Sequence, residues 1–269
     1  MQTQQNFVLK CGGSTLAELP AAFFEELKQL QAEGIMPIIV HGGGPAISAM
    51  LSKLEIETEF VNGLRKTSEQ VLDVVEMVLA GQINKQIVRK ITSAGGKAIG
   101  LSGTDGGLLE AQPAGSIDEI GYVGEVVRVN TDLLHMLTSN GYLPVISPIG
   151  QDENGQRYNI NADTAAGAVA SAVKSSSLIV ITDVPGIMKT VNQERVILPR
   201  VTVQQIEEMI ASGEIYGGMI PKVKAAIDCI QGDVQEVVIL GGNEPNGMTR
   251  VLNGEEVGTR IVKSSSVSA

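Results

Sequence analysis

The sequence has no tryptophan and only 3% aromatic residues, so valine, isoleucine, leucine and alanine must fill its core. Its two cysteines, Cys11 and Cys229, stand far apart, with no CxxC and no histidine cluster beside them. That excludes a disulfide framework and a zinc site. No apolar run approaches the ~20 residues of a membrane-spanning helix. Residues Met1 to Gln5 lack the basic and apolar regions of a signal peptide. A soluble cytoplasmic protein is expected. Positive charge is also scarce: 20 Lys and Arg against 30 Asp and Glu leave a formal net charge of −10. Such a balance argues against nucleic-acid and anionic-membrane partners, which call for basic patches. Neither GxxxxGK[ST] nor a GxGxxG opening a helix occurs, which excludes a P-loop and a dinucleotide fingerprint.

What remains is a chain of 269 residues, 43% hydrophobic, with 31 glycines, some of them clustered at the ends of apolar runs. Short apolar segments alternate with longer amphipathic ones. Strands are expected at Phe7–Leu9, Pro37–Val40, Ala98–Leu101, Tyr142–Ile146, Leu178–Thr182, Glu236–Leu240 and Thr259–Val262. Helical spacing marks Ala17–Ala32, Pro45–Leu54, Ser68–Ile91, Ala162–Val173, Val203–Ala211 and Met219–Ile230, and Leu108–Arg128 reads as hairpins. Buried strands separated by helices indicate an α/β protein, a three-layer αβα sandwich around a mainly parallel central sheet. No linker marks a domain boundary. A single domain with two lobes, residues 1–174 and 175–269, is expected.

Three strands end alike, in glycines beside a polar residue: Lys10-Cys11-Gly12-Gly13-Ser14, His41-Gly42-Gly43-Gly44 and Gly241-Gly242-Asn243. Ligands of open α/β sheets gather at the carboxyl ends of strands. Consecutive glycines let backbone N–H groups converge on an anion, and a helix N-terminus adds its positive end. Lys10 at the first such end makes phosphate the expected ligand.

These segments, with Asn62-Gly63-Leu64-Arg65, Asn159-Ile160-Asn161-Ala162-Asp163 and Gly217-Gly218-Met219-Ile220-Pro221-Lys222, occur in the order found in the N-acetylglutamate kinases. From about Phe7 to Lys263 the chain resembles that group of the amino-acid kinase family. The resemblance implies the amino-acid kinase fold, with acceptor binding and dimerisation in the first lobe and ATP binding in the second. It also implies transfer of the ATP γ-phosphoryl group to the γ-carboxylate of N-acetyl-L-glutamate, in arginine biosynthesis, with Mg²⁺ bridging the β- and γ-phosphates. Lys10 and Lys222 would bracket the transferred group, and Asp163 would hold both lysines. Gly12, Gly13, Gly43 and Gly44 would line the phosphates and acceptor. Arg65 would grip the acceptor's α-carboxylate, and Asn159 its acetamido group. The stretches Asp183-Val184-Pro185-Gly186-Ile187-Met188 and Glu214-Ile215-Tyr216 would bind nucleotide. Hexameric, arginine-inhibited members carry an extra N-terminal helix before the first strand. With a strand already at Phe7, the resemblance implies a homodimer that arginine inhibits weakly.

The chemistry agrees. A γ-carboxylate has an ordinary pKa of about 4.3, so it is ionised at neutral pH and needs no general base. The difficulty is bringing one anion onto another, which makes catalysis a matter of positioning and charge neutralisation.

Several of these residues also have ordinary explanations. Lys222 beside Lys224 reads alone as a solvated helix face, and Arg65 as a surface residue. Asn161 and Asp163 are good helix N-terminal residues. His41 reads as a hydrogen-bonded structural residue, and Asp105 as a turn residue or a ligand contact. Lys10 has few such excuses, because lysine is rarely buried without a partner. The competing functions are a same-fold kinase for an aminoadipate-type carboxylate and a non-catalytic ligand sensor on this fold.

Overall fold

The structure, a computed structural model, describes residues 7–13, 18–191, 194–216, 219–231, 234 and 236–263. Its first half runs β1 (Val8–Cys11), α1 (Ala21–Ala32), β2 (Ile38–His41), α2 (Gly44–Lys53), β3 (Phe60–Val61), β4 (Leu64–Arg65) and α3 (Glu69–Glu76). Next come a π-helical segment (Met77–Ile83), α4 (Asn84–Ser93), β5 (Ala98–Ser102), β6 (Leu109–Pro113), α5 (Ile117–Ile120), β7 (Val123–Val129) and α6 (Thr131–Ser139). This half closes with β8 (Leu143–Ser147), β9 (Ile149–Gln151), β10 (Arg157–Ile160) and α7 (Ala162–Ala172). The second half comprises β11 (Leu178–Thr182), β12 (Met188–Val191), β13 (Glu194–Ile197), β14 (Arg200–Thr202) and α8 (Val203–Ala211). It ends with α9 (Met219–Gln231), β15 (Glu236–Gly241), α10 (Gly247–Leu252) and β16 (Thr259–Val262).

Eight strands form one sheet in the order β14-β16-β15-β11-β1-β2-β8-β5. All neighbours are parallel except β15 and β16. The expected three-layer α/β sandwich is therefore observed. β1 sits mid-sheet, flanked by β2 of its own half and β11 of the other. Strand alternation divides the core in two. Phe7, Leu9 and Cys11 pack with α1 to α4, while Val8 packs on the other face with Ala165, Ala166, Val169 and Ala170 of α7. Lys10 shares its face with Val8, so it is directed to the α7 side.

Some expectations are corrected. Helix α1 starts at Ala21 rather than Ala17, because Pro20 stands in extended conformation as its N-cap. The segment expected at Ser68–Ile91 is helical from Glu69, with Ser68 as its N-cap, and widens to π geometry over Met77–Ile83. The hairpin β6–β7 joins β9 and β10 in a small closed barrel that the local pattern does not announce. Helices α6 and α10 and the hairpin β12–β13 are further additions.

The two halves are also joined outside the sheet. Glu26 of α1 is buried, and its carboxylate accepts from the Thr249 backbone N–H at 2.8 Å and hydroxyl at 3.0 Å at the start of α10. Burial pushes its pKa up, against the hydrogen bonds that lower it. A raised folded-state pKa favours the protonated form. Its contribution to stability is complete below the ordinary carboxylate range and is lost as pH rises through the raised value. Glu26→Gln keeps an oxygen acceptor without the charge, so it should remove this component of the pH dependence. Glu26→Ala should cost about 1–3 kcal/mol by leaving the Thr249 N–H unsatisfied. Denaturant unfolding at acidic and mildly alkaline pH checks both. A Glu26→Gln stability profile that parallels the unsubstituted protein would contradict the assignment.

Candidate active site

One cavity at the carboxyl edge of the sheet is lined by Lys10, Gly13, Gly43, Gly44, Arg65, Asn159 and Asp163. Lys10 Nζ lies 2.8 Å from Asp163 Oδ1, with side-chain exposures of 13% and 26%. Asp163 is placed by the start of α7. The Asn161 side chain caps this helix, its Oδ1 accepting from the N–H groups of Asp163 at 2.8 Å and Thr164 at 3.3 Å. Capping and catalysis-like placement thus coincide. Small residues along α7 permit close packing on its other side too: a Cβ on Gly167 would meet Cys229 Sγ of α9 at 2.6 Å. Burial pushes the Cys229 thiol up to about 12, so it stays protonated.

Two glycine turns meet beside the ion pair. A Cβ on Gly13 would stand 2.6 Å from the Gly43 Cα and N atoms, so only glycine permits this approach. Among the described residues, the N–H groups of Gly13 and Gly43 have no hydrogen-bond acceptor. They lie beside the N-terminus of α2, an arrangement suited to an anion. Gly12 differs: its N–H is directed to the Ile181 carbonyl at 3.5 Å and extends the sheet pairing.

Arg65 is buried to 7% exposure on the hairpin β3–β4. The turn Asn62-Gly63 has φ of 50° and 83°, the conformation that an Asn-Gly hairpin favours. The guanidinium donates to Ser48 Oγ at 2.8 Å, Thr58 Oγ1 at 3.2 Å and the Gly44 carbonyl at 3.2 Å, and lies 4.7 Å from the Phe60 ring centroid. All these partners are uncharged. Among the described residues no carboxylate forms an ion pair with it. Burial lowers its pKa, but a guanidinium remains charged. A buried cation without a counter-ion is costly and is relieved by an incoming anion. Across the cavity, Asn159 donates through Nδ2 to Thr67 Oγ1 at 3.1 Å, and Thr67 in turn donates to the Arg65 carbonyl at 2.7 Å. Asn159 itself lines the cavity.

Lys222 behaves differently from expectation. It pairs with the carboxylate of Asp183, not with Asp163. It sits in the first turn of α9, where the nearest carboxylate is the one just past the end of β11. The hydrogen bond from Lys222 holds the Asp183 carboxyl below the usual range. The expectation that Asp163 tethers both lysines is thus corrected: each lysine has its own carboxylate. Segment Gly217-Gly218 lies outside the described residues.

A second cavity gathers Val184, Ile187, Met188, Glu214, Ile215 and Tyr216 of the expected nucleotide stretches. Lys189 pairs with Glu214 at 3.2 Å, and Arg195 donates to the Tyr216 hydroxyl at 3.4 Å. These contacts tie the hairpin β12–β13 to the far wall. Asp183, Pro185 and Gly186 do not line it, and a Cβ on Gly186 would meet Thr259 Oγ1 at 2.7 Å. Asp105 is a turn residue, its carboxylate accepting from the Ser102 N–H at 2.6 Å. Phe60, Ser48, Thr58 and Thr67 are site residues that sequence reading missed. The Asn62-Gly63 pair, a hairpin signal, is the local feature that could have placed Phe60 opposite Arg65.

The chain matches the amino acid kinase family over residues 5–241. It is 52% identical over 258 residues to the acetylglutamate kinase of Halalkalibacterium halodurans, covering 95% of each chain. It is 50% identical over 260 residues to that of Geobacillus kaustophilus, covering 97% of each. A crystal structure of a Streptococcus mutans UA159 protein superposes with a TM-score of 0.83 at 29% identity, over 97% of this chain and 100% of that one. Motif order, fold and full-length similarity agree, and the chain belongs to the amino acid kinase family.

Proposed function

We propose that this chain transfers the ATP γ-phosphoryl group to the γ-carboxylate of N-acetyl-L-glutamate, as an acetylglutamate kinase of arginine biosynthesis. The observation that carries this reading is Arg65: a buried guanidinium with no carboxylate partner among the described residues, in the cavity that also holds the Lys10–Asp163 pair. Curated relatives of about half-identical sequence bear the same name. Arg65 would take the α-carboxylate in two-pronged fashion. Asn159 would read the acetamido group through its amide carbonyl.

The γ-carboxylate then lies near Lys10 and the N–H groups of Gly13 and Gly43. One of its oxygens attacks the γ-phosphorus, the new O–P bond forms, and the bond to the departing ADP oxygen breaks. Lys10 and the two amides neutralise charge on the phosphoryl oxygens as it moves. Lys222 would exchange its exposed partner Asp183 for a phosphate oxygen. Among the described residues no three His, Cys, Asp or Glu side chains gather to hold a metal. Mg²⁺ would be brought with ATP and would supply charge neutralisation at the phosphates. The two lobes divide the labour, acceptor in residues 1–174 and nucleotide in 175–269. Among the described residues no helix is long and apolar enough to cross a membrane, and a cytoplasmic homodimer is part of the proposal.

The test is ADP release with N-acetylglutamate, glutamate and aminoadipate in parallel. Turnover is expected with the first alone at low acceptor concentration. Preference for aminoadipate would replace the acceptor, and ATP binding without turnover of any would indicate a sensor. Arg65→Lys should raise the acceptor KM roughly tenfold or more while leaving the ATP KM unchanged, because one ammonium cannot replace a planar fork. Asp163→Asn removes the counter-charge from Lys10 and should lower kcat by about 10²-fold with ATP binding retained. Normal turnover by that variant would sink the arrangement. Sizing should show a dimer, and arginine should inhibit weakly; a hexamer or inhibition by micromolar arginine would refute this part.

A further inference from the structure

The acceptor cavity's wall continues into a buried network that the mechanism above does not use. His41, the last residue of β2, is fully buried, and so is Asn84, the first residue of α4. Asn84 Nδ2 faces three acceptors: the Val145 carbonyl at 2.8 Å, the Leu101 carbonyl at 3.2 Å and His41 Nε2 at 3.3 Å. Its Oδ1 accepts from Lys85 Nζ at 3.1 Å, and Lys85 also donates to the Gly100 carbonyl at 3.0 Å. With two carbonyls on one side and an ammonium on the other, the amide has only one satisfactory orientation. Nδ2 has two hydrogens for these three acceptors and can itself accept nothing, so the His41 Nε2 beside it is the ring's unprotonated nitrogen. The Gly42 carbonyl oxygen, 3.0 Å from Nδ1, can only accept, so the imidazole proton is assigned to Nδ1, which donates to it.

This bond acts on the next amide. A trans peptide is planar, so the Gly42 carbonyl and the Gly43 N–H point in opposite directions. Holding the carbonyl toward the buried network directs the Gly43 N–H toward the cavity, where it has no protein acceptor among the described residues. The back of the turn is closed as well. The side chains of Leu79 and Ile83, both from the π-helical segment, occupy the position a Cβ on Gly43 would need. Burial pushes the His41 pKa down to about 4, so the ring is neutral at physiological pH and keeps one donor and one acceptor.

We propose that His41, oriented by Asn84, is a positioning residue that aims the Gly43 amide at the transferring phosphoryl group. The proposal rests on the phosphoryl-transfer reading of the cavity. It gives a role to a π-helical segment, a feature that concentrates at functional sites.

The tautomer is tested first, on the unsubstituted protein. Only two histidines are present, so a long-range ¹⁵N–¹H spectrum with a His135→Gln control assigns both rings. An Nδ1–H tautomer at His41 is expected, and an Nε2–H tautomer overturns the proposal whatever the variants do. Next, His41→Leu should lower kcat roughly tenfold or more while both KM values stay within about twofold. Its affinity for ADP with aluminium fluoride and acceptor should fall by a similar factor, with ADP affinity alone unchanged. His41→Gln, whose amide N–H can reach the same carbonyl, should recover most of the rate. Equal impairment of both variants, raised KM values with kcat intact, or an unchanged His41→Leu would each overturn it. If the unsubstituted protein fails to phosphorylate N-acetylglutamate, the functional reading falls, while the tautomer result is judged separately.

Discussion

The site depends on the ion pair between Lys10 and Asp163. Lys10, one residue from the end of a central strand, would otherwise be a cation pressed against an alanine-rich helix. Asp163 would otherwise be one more negative charge in a chain of net −10. At 2.8 Å they neutralise one another without being sealed from solvent. A fully buried pair would suffer heavily from desolvation and would resist rearrangement. A fully exposed one would be weak and loosely held. Intermediate burial leaves the ammonium anchored yet able to direct its remaining hydrogens to an arriving anion.

Three cations of the proposed site are held in three different ways, and each fits a different task. Lys10 has a fixed partner supplied by a capped helix. Lys222 has an exposed partner, Asp183, which it can exchange when phosphate arrives. Arg65 has neutral hydrogen-bond partners and an aromatic face, but no counter-ion among the described residues. The most buried charge is thus the one whose complement must come from the ligand. This ordering gives local positive potential where ATP and a dicarboxylate must meet, despite the repulsive field of the whole chain. It also explains how so few cations suffice.

Much of this was legible in sequence because it is local. Lys10 between Leu9 and Cys11 must fall on the opposite face from both, and Asn161 two residues before Asp163 is a helix start. The fold class follows from strands apolar on both faces. What was not legible depends on contacts between distant segments. Nothing near Lys222 indicates that its partner is Asp183, 39 residues away in the chain. The barrel of β6, β7, β9 and β10 arises from pairings that short, broken strands do not advertise. The π segment is hidden for another reason: Val71, Val74 and Val75 before it and Val78 and Leu79 at its start satisfy an ordinary helical spacing.

That widening has a consequence for the glycine turns. An uninterrupted α-helix advances about 100° per residue, so the faces of Leu79, Ile83 and Asn84 would be set by the residues before them. A π turn rotates the helix on its C-terminal side relative to the helix on its N-terminal side. Here α3 keeps its valines in the core, while Leu79 and Ile83 reach the Gly43 backbone and Asn84 reaches His41. One helix thereby serves two registers, one for packing and one for the site. The absence of a side chain on Gly43 is the complementary half of the fit, since any Cβ there would displace both apolar side chains. A glycine that sequence alone reads as a phosphate cradle also leaves room for the methyl ends of Leu79 and Ile83. The two roles reinforce one another, because the contacts that exclude a Cβ are those that keep the amide from turning away.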